Sequence, residues 1–491
     1  MKRREFIGAT LAGGAAAALP GTALAAAKSK PAGVPAVQLS GAATFLEEPA
    51  LKQLAGTMRG SLILPTHEEY ETARRVWNPM IDRRPALIAR CAEAKDVVKA
   101  VNFARERELL VAVRSGGHSF PGHSTCDGGM VIDLSSMRKV RVDAGRKTAT
   151  VEAGAWVSDV DSKTLPLGLA TTMGQISDTG VAGLTLGGGY GWLSRKLGLA
   201  CDNLIWADIV TPDGKFQRVS ANENEQLFWA IRGGGGNFGV ATSFEYRLHK
   251  QQQQVYAAYI SYPVEHLRAV MELYQETTAT GPRDLSLDLS LEASDKGEPL
   301  VAVYACHSGD PAEGPALIAP FDRVAKPFQS VHGPDTYERV QHQSDGPHLS
   351  KSLHYIKAGL VREFKPELIE TLQREFRPSG EIFIYMQNAS GAVGDVAPQG
   401  TAFWNRKSMA NLMILGTWRD PANTEKNRAA IRAAWEKIAP FTEGFYTNLS
   451  DADAQSTHRN YGGNYARLSV LKRKFDPANM LRLNSNITPA I

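Results

Sequence analysis

Cysteine is scarce in this chain. Four are spread through 491 residues, at Cys91, Cys126, Cys201 and Cys306, with no C-x-x-C pair, which excludes a disulfide scaffold and argues against a zinc site. Core thiols are the simplest reading of them. An excess of one charge sign is missing too: 55 Lys and Arg stand against 51 Asp and Glu, giving a net charge of +4 with both signs scattered. Without a basic stripe, nucleic acid is excluded as the main partner. Past residue 27 no apolar run is long enough to span a bilayer. The chain also lacks the Lys-Ser/Thr of a P-loop and a strand-GxGxxG-helix frame with a later acidic residue. Neither common nucleotide-binding motif is therefore present.

What is there begins with an address. Lys2-Arg3-Arg4-Glu5-Phe6-Ile7 precedes a short Ala/Gly/Leu stretch that ends in Ala23-Leu24-Ala25. A paired arginine, a mildly apolar core and an A-x-A cleavage signal resemble a twin-arginine export signal, which carries folded proteins across a bacterial inner membrane. Residues 1–27 are predicted to be removed, leaving a periplasmic or secreted protein with its cofactor already loaded. The remaining length suggests two or three structural units.

After a polar stretch to about residue 58, helical and strand patterns alternate. Val97, Val101 and Ala104 share a helix face, and the apolar run Leu109 to Val113 reads as a buried strand. Short strands follow at 130–134, 148–153, 204–210, 216–219 and 240–248, with Asp213-Gly214 as a hairpin turn. From about residue 255 the pattern changes. Amphipathic helices are marked by Leu267, Val270, Met271 and Tyr274, by Leu368, Leu372 and Phe376, and by Ile431, Trp435 and Ile438. Between them Leu285 to Leu291 alternates strictly, burying leucines on one side and presenting Ser286, Asp288 and Ser290 on the other. That polar side is either plain solvent surface or the roof of a polar pocket. The tail from Tyr461, with Leu468, Leu471 and Phe475 on a helix before Asp476-Pro477, reads as a separate closing segment.

Glycine is plentiful, at 45 residues or about 9% against a usual value of about 7%, and it gathers in three clusters. The first is Arg114-Ser115-Gly116-Gly117-His118-Ser119, directly after a predicted strand. Successive glycine amides there can form a concave nest for an anion such as a pyrophosphate; a tight turn is the plainer alternative. The second holds Gly174, Gly180, Gly183 and Gly187-Gly188-Gly189-Tyr190-Gly191, and the third is Gly233-Gly234-Gly235-Gly236-Asn237-Phe238-Gly239. So many residues without a Cβ imply backbone passing close to a flat or charged ligand. Together the clusters point to a large phosphate-containing cofactor held outside both common nucleotide folds.

These motifs resemble a known family. Ala86 to about Leu248 is similar to the FAD-binding domain of the vanillyl-alcohol oxidase superfamily, and the chain as a whole resembles its berberine-bridge-enzyme-like branch. Tyr461-Gly462-Gly463-Asn464-Tyr465, Arg467-Leu468, Lys472, Asp476-Pro477, Asn479 and Asn484 resemble that branch's closing signature. The resemblance implies an α+β fold: a two-part PCMH-type FAD-binding domain over residues 28–252, and a substrate domain over 253–455 whose antiparallel sheet is covered by helices on one face. Residues 456–491 would return to the flavin.

The resemblance also implies roles. Arg114, Ser115, Gly116, Gly117, His118, Ser119, Asp178, Thr179, Gly180, Gly183, Gly187, Gly188, Val240 and Asn484 would hold FAD. A neutral imidazole has a nitrogen free to act as a nucleophile, and His118 falls at the family's flavin-attachment position. The cysteine that often supplies a second bond is replaced by Ile176, so one covalent link is expected, with Cys126 the only alternative partner. Tyr190, Tyr446 and Tyr461 are the catalytic candidates. The family's further tyrosine is absent, since the segment reads Tyr446-Thr447-Asn448-Leu449, and Tyr385 is another substitute. The implied activity is hydride transfer from a small organic donor, an alcohol, sugar or amine, to flavin. Oxygen is the favoured acceptor because Thr179, a small side chain, sits where the family controls oxygen access. A dehydrogenase using another acceptor, or a flavin-binding protein without turnover, is the alternative. No metal is expected.

Overall fold

The computed structural model describes residues 32–346, 351–449 and 454–491; the segment read as an export signal lies outside them. Two large hydrophobic cores, with four smaller clusters beside them, organise the described residues. The first is built from residues between Ala36 and Leu248 and is joined by Tyr461, Leu468, Leu471, Leu481 and Ile487 of the tail. The second is built entirely from residues between Tyr256 and Ile438.

The first core lies between two sheets. In one, Leu87–Arg90 and Val111–Arg114 flank Met130–Asp133 in parallel, and Ser61–Ile63 adds an antiparallel edge. Their apolar and β-branched residues suit strands buried on both faces. The other is a five-stranded antiparallel sheet in the order Phe216–Ser220, Leu204–Val210, Val240–Arg247, Thr148–Glu152, Val140–Asp143. Asp213-Gly214 turns the first pair as expected, with Gly214 at φ +80°.

Two expectations need correction here. The strand foreseen from Leu109 starts at Val111, because the backbone before it pairs elsewhere: Leu110 N donates to Val37 O at 3.0 Å and Leu109 bridges Gln38. The partner is a hairpin, Gly33–Val37 with Ala43–Glu47, followed by a helix at Glu48–Thr57. These occupy the stretch read only as polar. Each hairpin strand buries a single residue, Ala36 and Leu46, too sparse a pattern for periodicity to register.

The second core sits under one face of a seven-stranded antiparallel sheet. Its order is Gln329–Thr336, Gln254–Pro263, Pro299–His307, Leu285–Ala293, Ile382–Asn388, Ala410–Trp418, Leu353–Val361. Helices Leu267–Thr280, Pro366–Glu375 and Thr424–Ile438 carry the apolar stripes read from sequence, and Gly314–Val324 adds a fourth. They cover Leu285, Leu287, Leu289 and Leu291, each burial worth about 1.5–3 kcal/mol. Solvent does not lie on the other face. Ser286, Asp288 and Ser290 are only 3%, 1% and 1% exposed, so the strand roofs an interior space.

The tail is fastened by a buried cation. Lys472, on helix Tyr465–Phe475, donates from Nζ to Asp476 Oδ2 at 2.7 Å, Asn237 O at 2.8 Å and Leu481 O at 3.0 Å. Asp476 in turn accepts from the amides of Met480 and Leu481. Asn237 completes the clasp, accepting from Ile487 N and donating to Ser485 O. A buried charge keeps its place only when so fully satisfied. The third glycine cluster and the C-terminal segment are thereby held together.

Candidate cofactor and substrate site

Between the glycine clusters and the polar face of the large sheet lies a cavity of about 630 Å³. Its floor begins where the strand Val111–Arg114 ends. Arg114 does not reach the cavity; its guanidinium is spent on Asp133, with Nε at 3.1 Å and Nη2 at 2.6 Å from the carboxylate oxygens. That fully buried pair fixes the strand end from which Ser115 to Ser119 turn along the cavity wall. Gly117 takes φ +72°, a conformation few side chains tolerate. Gly116 and Gly180 meet through bare backbone: a Cβ on Gly116 would stand 2.5 Å from Gly180 N, and one on Gly180 would stand 2.3 Å from Gly116 N.

Glycines of the second cluster divide into two kinds. Gly180 and Gly183 line the cavity, and nothing lies within 4 Å of where a Cβ on Gly183 would be. Gly187 and Gly188 are not in the wall. A Cβ on Gly187 would strike Asn448 Oδ1 at 2.1 Å, and one on Gly188 would press on Phe403 at 3.0 Å. Their smallness serves packing against protein, which corrects the reading of the whole cluster as ligand-facing. Gly236, in the third cluster, is again bare toward the cavity, with Val240 beside it. Asn484 and Ser485 reach the same space from the tail.

This surface suits a large, flat, phosphate-bearing group. Bare glycine backbone offers amides and clearance. Several buried polar atoms in the wall also have no partner within the protein: Ser124 Oγ, Thr447 Oγ1, Asn484 Oδ1, Ser485 Oγ and the phenol oxygens of Tyr190 and Tyr461. Buried polar atoms are normally bonded, so these call for a bound partner. Among the described residues no Lys or Arg lines the cavity, and no group of three or more potential metal ligands occurs. A diphosphate would be met by amides and hydroxyls.

His118 stands in the wall with its side chain 11% exposed. Its Nε2 lies 3.3 Å from Asp178 Oδ1 without hydrogen-bond geometry; Asp178 itself is outside the wall. The imidazole is clamped by stacking instead. Trp77 lies over it at 4.1 Å between centroids, and His354 of the large sheet lies over Trp77 at 4.3 Å. Thr179 and Ile176 line the cavity. Cys126 does not; its Sγ lies against Met130 O, and burial pushes the thiol up to about 12. It is unsuited to a second covalent bond.

The candidate tyrosines are not one group. Tyr190 and Tyr446 meet edge to face at 5.1 Å, and the Tyr446 oxygen accepts from Gly189 N at 3.1 Å and Asn448 Nδ2 at 2.7 Å. Tyr461 enters from the tail and packs into the first core. Burial raises all three phenols above their ordinary value, so each stays a neutral phenol, and the Tyr190 and Tyr461 hydroxyls are free to donate. Leu449 occupies the wall at the missing tyrosine's position.

Sequence reading named Tyr385 and the polar side of residues 285–291 but not their partners, nor Glu292. Tyr385 donates to Asp288 Oδ2 at 2.6 Å, and that carboxylate also accepts from Gln175 Nε2 and Asn388 N at 2.8 Å. Glu292 accepts from Tyr259 at 2.7 Å, Tyr304 at 2.9 Å and Ser290. Glu292 was within reach of the alternation argument, since it continues the 286, 288, 290 parity by one step. Trp77 and His354 carried no local signal.

The comparisons with known proteins agree with this geometry. Residues 85–220 match the family described as FAD binding domain, and residues 445–488 match the one described as berberine and berberine like. An FAD-linked oxidoreductase of Dictyostelium discoideum is 32% identical over 449 residues, covering 89% of this chain and 97% of that one. The chain belongs to the berberine-bridge-like FAD-linked oxidoreductases. Another relative, (R)-6-hydroxynicotine oxidase of Paenarthrobacter nicotinovorans, is 28% identical, covering 88% of this chain and 97% of its own. The crystal structure of 6-hydroxy-D-nicotine oxidase from Arthrobacter nicotinovorans superposes with a TM-score of 0.80 at 26% identity, covering 88% of this chain and 99% of that one. This berberine-bridge-like chain is thus an FAD-dependent oxidoreductase with the two-part PCMH-type α+β fold of its relatives.

If the clearance above Gly183 exists for FAD, filling it should expel the cofactor while sparing the fold. Gly183→Leu should keep the parent far-UV circular dichroism yet purify with roughly a tenth or less of the parent's flavin, checked by absorbance at the flavin band after gel filtration.

Proposed function

We propose that the chain is an exported FAD-linked oxidase that takes a hydride from a small organic donor and holds its flavin by one covalent bond through His118. The observation that carries this reading is that one cavity joins a cofactor-ready floor, with an unbonded imidazole nitrogen in it, to a roof holding a phenol that has its own proton acceptor. Bound FAD would supply the two-electron sink, accepting hydride from a donor C–H bond and returning the electron pair to oxygen.

The protein's part is orientation and proton movement. Tyr385 is suited to receive the donor's proton while its own passes to Asp288 across 2.6 Å. Burial raises the Asp288 carboxyl above its usual range, which brings its proton affinity closer to that required of a base. Tyr190 keeps its proton and is free to donate to a donor oxygen or nitrogen. Gln175 bridges Asp288 and Gln387, holding the acceptor still. Thr179 lines the cavity on the floor side, and its small side chain is suited to admitting oxygen there. Relatives whose names include 6-hydroxynicotine and aclacinomycin show that oxidation of varied small organic molecules accompanies this fold.

Three outcomes are expected. After acid denaturation, yellow colour should remain on the polypeptide and map to a His118 peptide, whereas His118→Ala should release all its FAD; full release from the parent would refute the covalent link. Anaerobically reduced protein mixed with air-saturated buffer should reoxidise as fast as turnover, commonly about 1 to 10³ s⁻¹; recovery in minutes, with a quinone restoring colour in seconds, would identify a dehydrogenase. Replacing Arg3 and Arg4 by lysine should hold a flavin-loaded precursor in the cytoplasm, and unchanged export on cell fractionation would show the paired arginines to be incidental.

A further inference from the structure

We propose that the donor is an organic cation, an amine bearing positive charge beside an apolar body, and that Glu292 selects it. This rests on the reading of the cavity as the substrate site and adds the donor's chemical class.

Charge is the first argument. Among the described residues in the wall, Glu292 is the only Asp or Glu, and there is no Lys or Arg. Every hydrogen-bond partner of its carboxylate is a neutral hydroxyl, from Tyr259, Tyr304 and Ser290. Those donors solvate the negative charge and hold it in place without cancelling it. A charge in a largely apolar enclosure acts more strongly than one in water, so the cavity attracts cations and repels carboxylates.

Asp288, four residues earlier on the same strand, makes the contrast. It too accepts three hydrogen bonds, yet it lies behind the wall and is covered by Tyr385 and Gln175. Glu292 is only half-buried and is part of the wall. The two carboxylates have separate tasks: one accepts a proton through Tyr385, and the other meets the ligand.

The surroundings suit the rest of such a donor. Tyr304, which bonds Glu292, stands edge to face with Tyr385 at 6.1 Å, and both line the cavity with Phe383. Aromatic rings beside a carboxylate are favourable to an alkylated ammonium that lies over one of them. Farther along the sheet Ile356, Met413 and Leu415 line the cavity, a wall for an apolar body. Burial, followed by the negative charge of Glu292, raises the Tyr259 phenol to about 12, in keeping with its role as a fixed donor.

A purely structural role would make Glu292 a tie between neighbouring strands, indifferent to ligand charge. The test is a pair of probes of one shape and different charge, phenyltrimethylammonium and tert-butylbenzene, titrated into the flavin-loaded protein and followed by perturbation of the visible flavin spectrum. The cation should bind the parent at least about tenfold more tightly than its neutral isostere, and Glu292→Gln should bring the two within about twofold. Should Glu292→Gln fail to load flavin, Glu292→Asp replaces it, and the cation's advantage should fall several-fold as the charge draws back. Equal binding of both probes by the parent, or an advantage that either variant leaves intact, overturns the proposal and leaves the oxidase reading standing. If neither probe perturbs the flavin of loaded protein, the cavity does not select an organic cation and the proposal falls, while the oxidase reading is judged separately by the reoxidation of reduced protein in air.

Discussion

The cavity depends on a contact between two glycines. Gly116 lies in the turn that follows a parallel strand, Gly180 opens the short helix Val181–Leu186, and their backbones touch where no Cβ could be accommodated. Everything on the floor is referred to that contact. It sets Ser115 to His118 against Thr179 and Gly183, so that two segments about 60 residues apart in sequence form one surface. The Arg114–Asp133 pair braces one side of it, and the Lys472–Asn237 clasp brings the tail to the other. Each brace is an ion or amide whose hydrogen bonds are met inside the protein, which offsets much of the cost of taking it out of water.

The roof obeys a different constraint. A strand has two faces, and Leu285–Ala293 uses both for interior purposes: leucines into the helix-covered core, and serine and carboxylate side chains toward the cavity. Burying Asp288 is unfavourable unless donors replace water, and Tyr385, Gln175 and the Asn388 amide do so. Gln175 comes from the segment that also shapes the floor, so the roof's polar network is completed only when the two parts of the chain are together. Stacking of Trp77 between His118 and His354 makes a second junction of the same kind. The site is therefore a product of the junction, with each part supplying one wall.

Charge is distributed with similar economy. The floor offers amides and hydroxyls where a diphosphate would lie, and among the described residues the cavity wall has no lysine or arginine, its only basic side chains being His118, His123 and His354. A lysine or arginine there would pair with any nearby carboxylate and cancel its field. Its absence lets Glu292 keep an uncompensated charge, held by hydroxyls alone.

Much of this was legible in the sequence because it was local. Strand periodicity, the amphipathic helices, the Asp213-Gly214 turn, and the three glycine clusters beside His118 are short-range patterns whose physics acts within a few residues. The leucine alternation even revealed that one face was polar. It could not say that this face looked inward, since exposure is decided by what packs opposite. Similarly, Gly187 and Gly188 looked like Gly180 and Gly183 in sequence, and only the positions of Asn448 and Phe403 separated packing from ligand clearance. Trp77, His354, Tyr385 and Glu292 gained their roles from partners on other elements. Chain pattern determined which elements form and which residue types they present; tertiary contact decided which polar groups share a wall, because hydrogen bonds, stacking and electrostatic fields depend on distance in space.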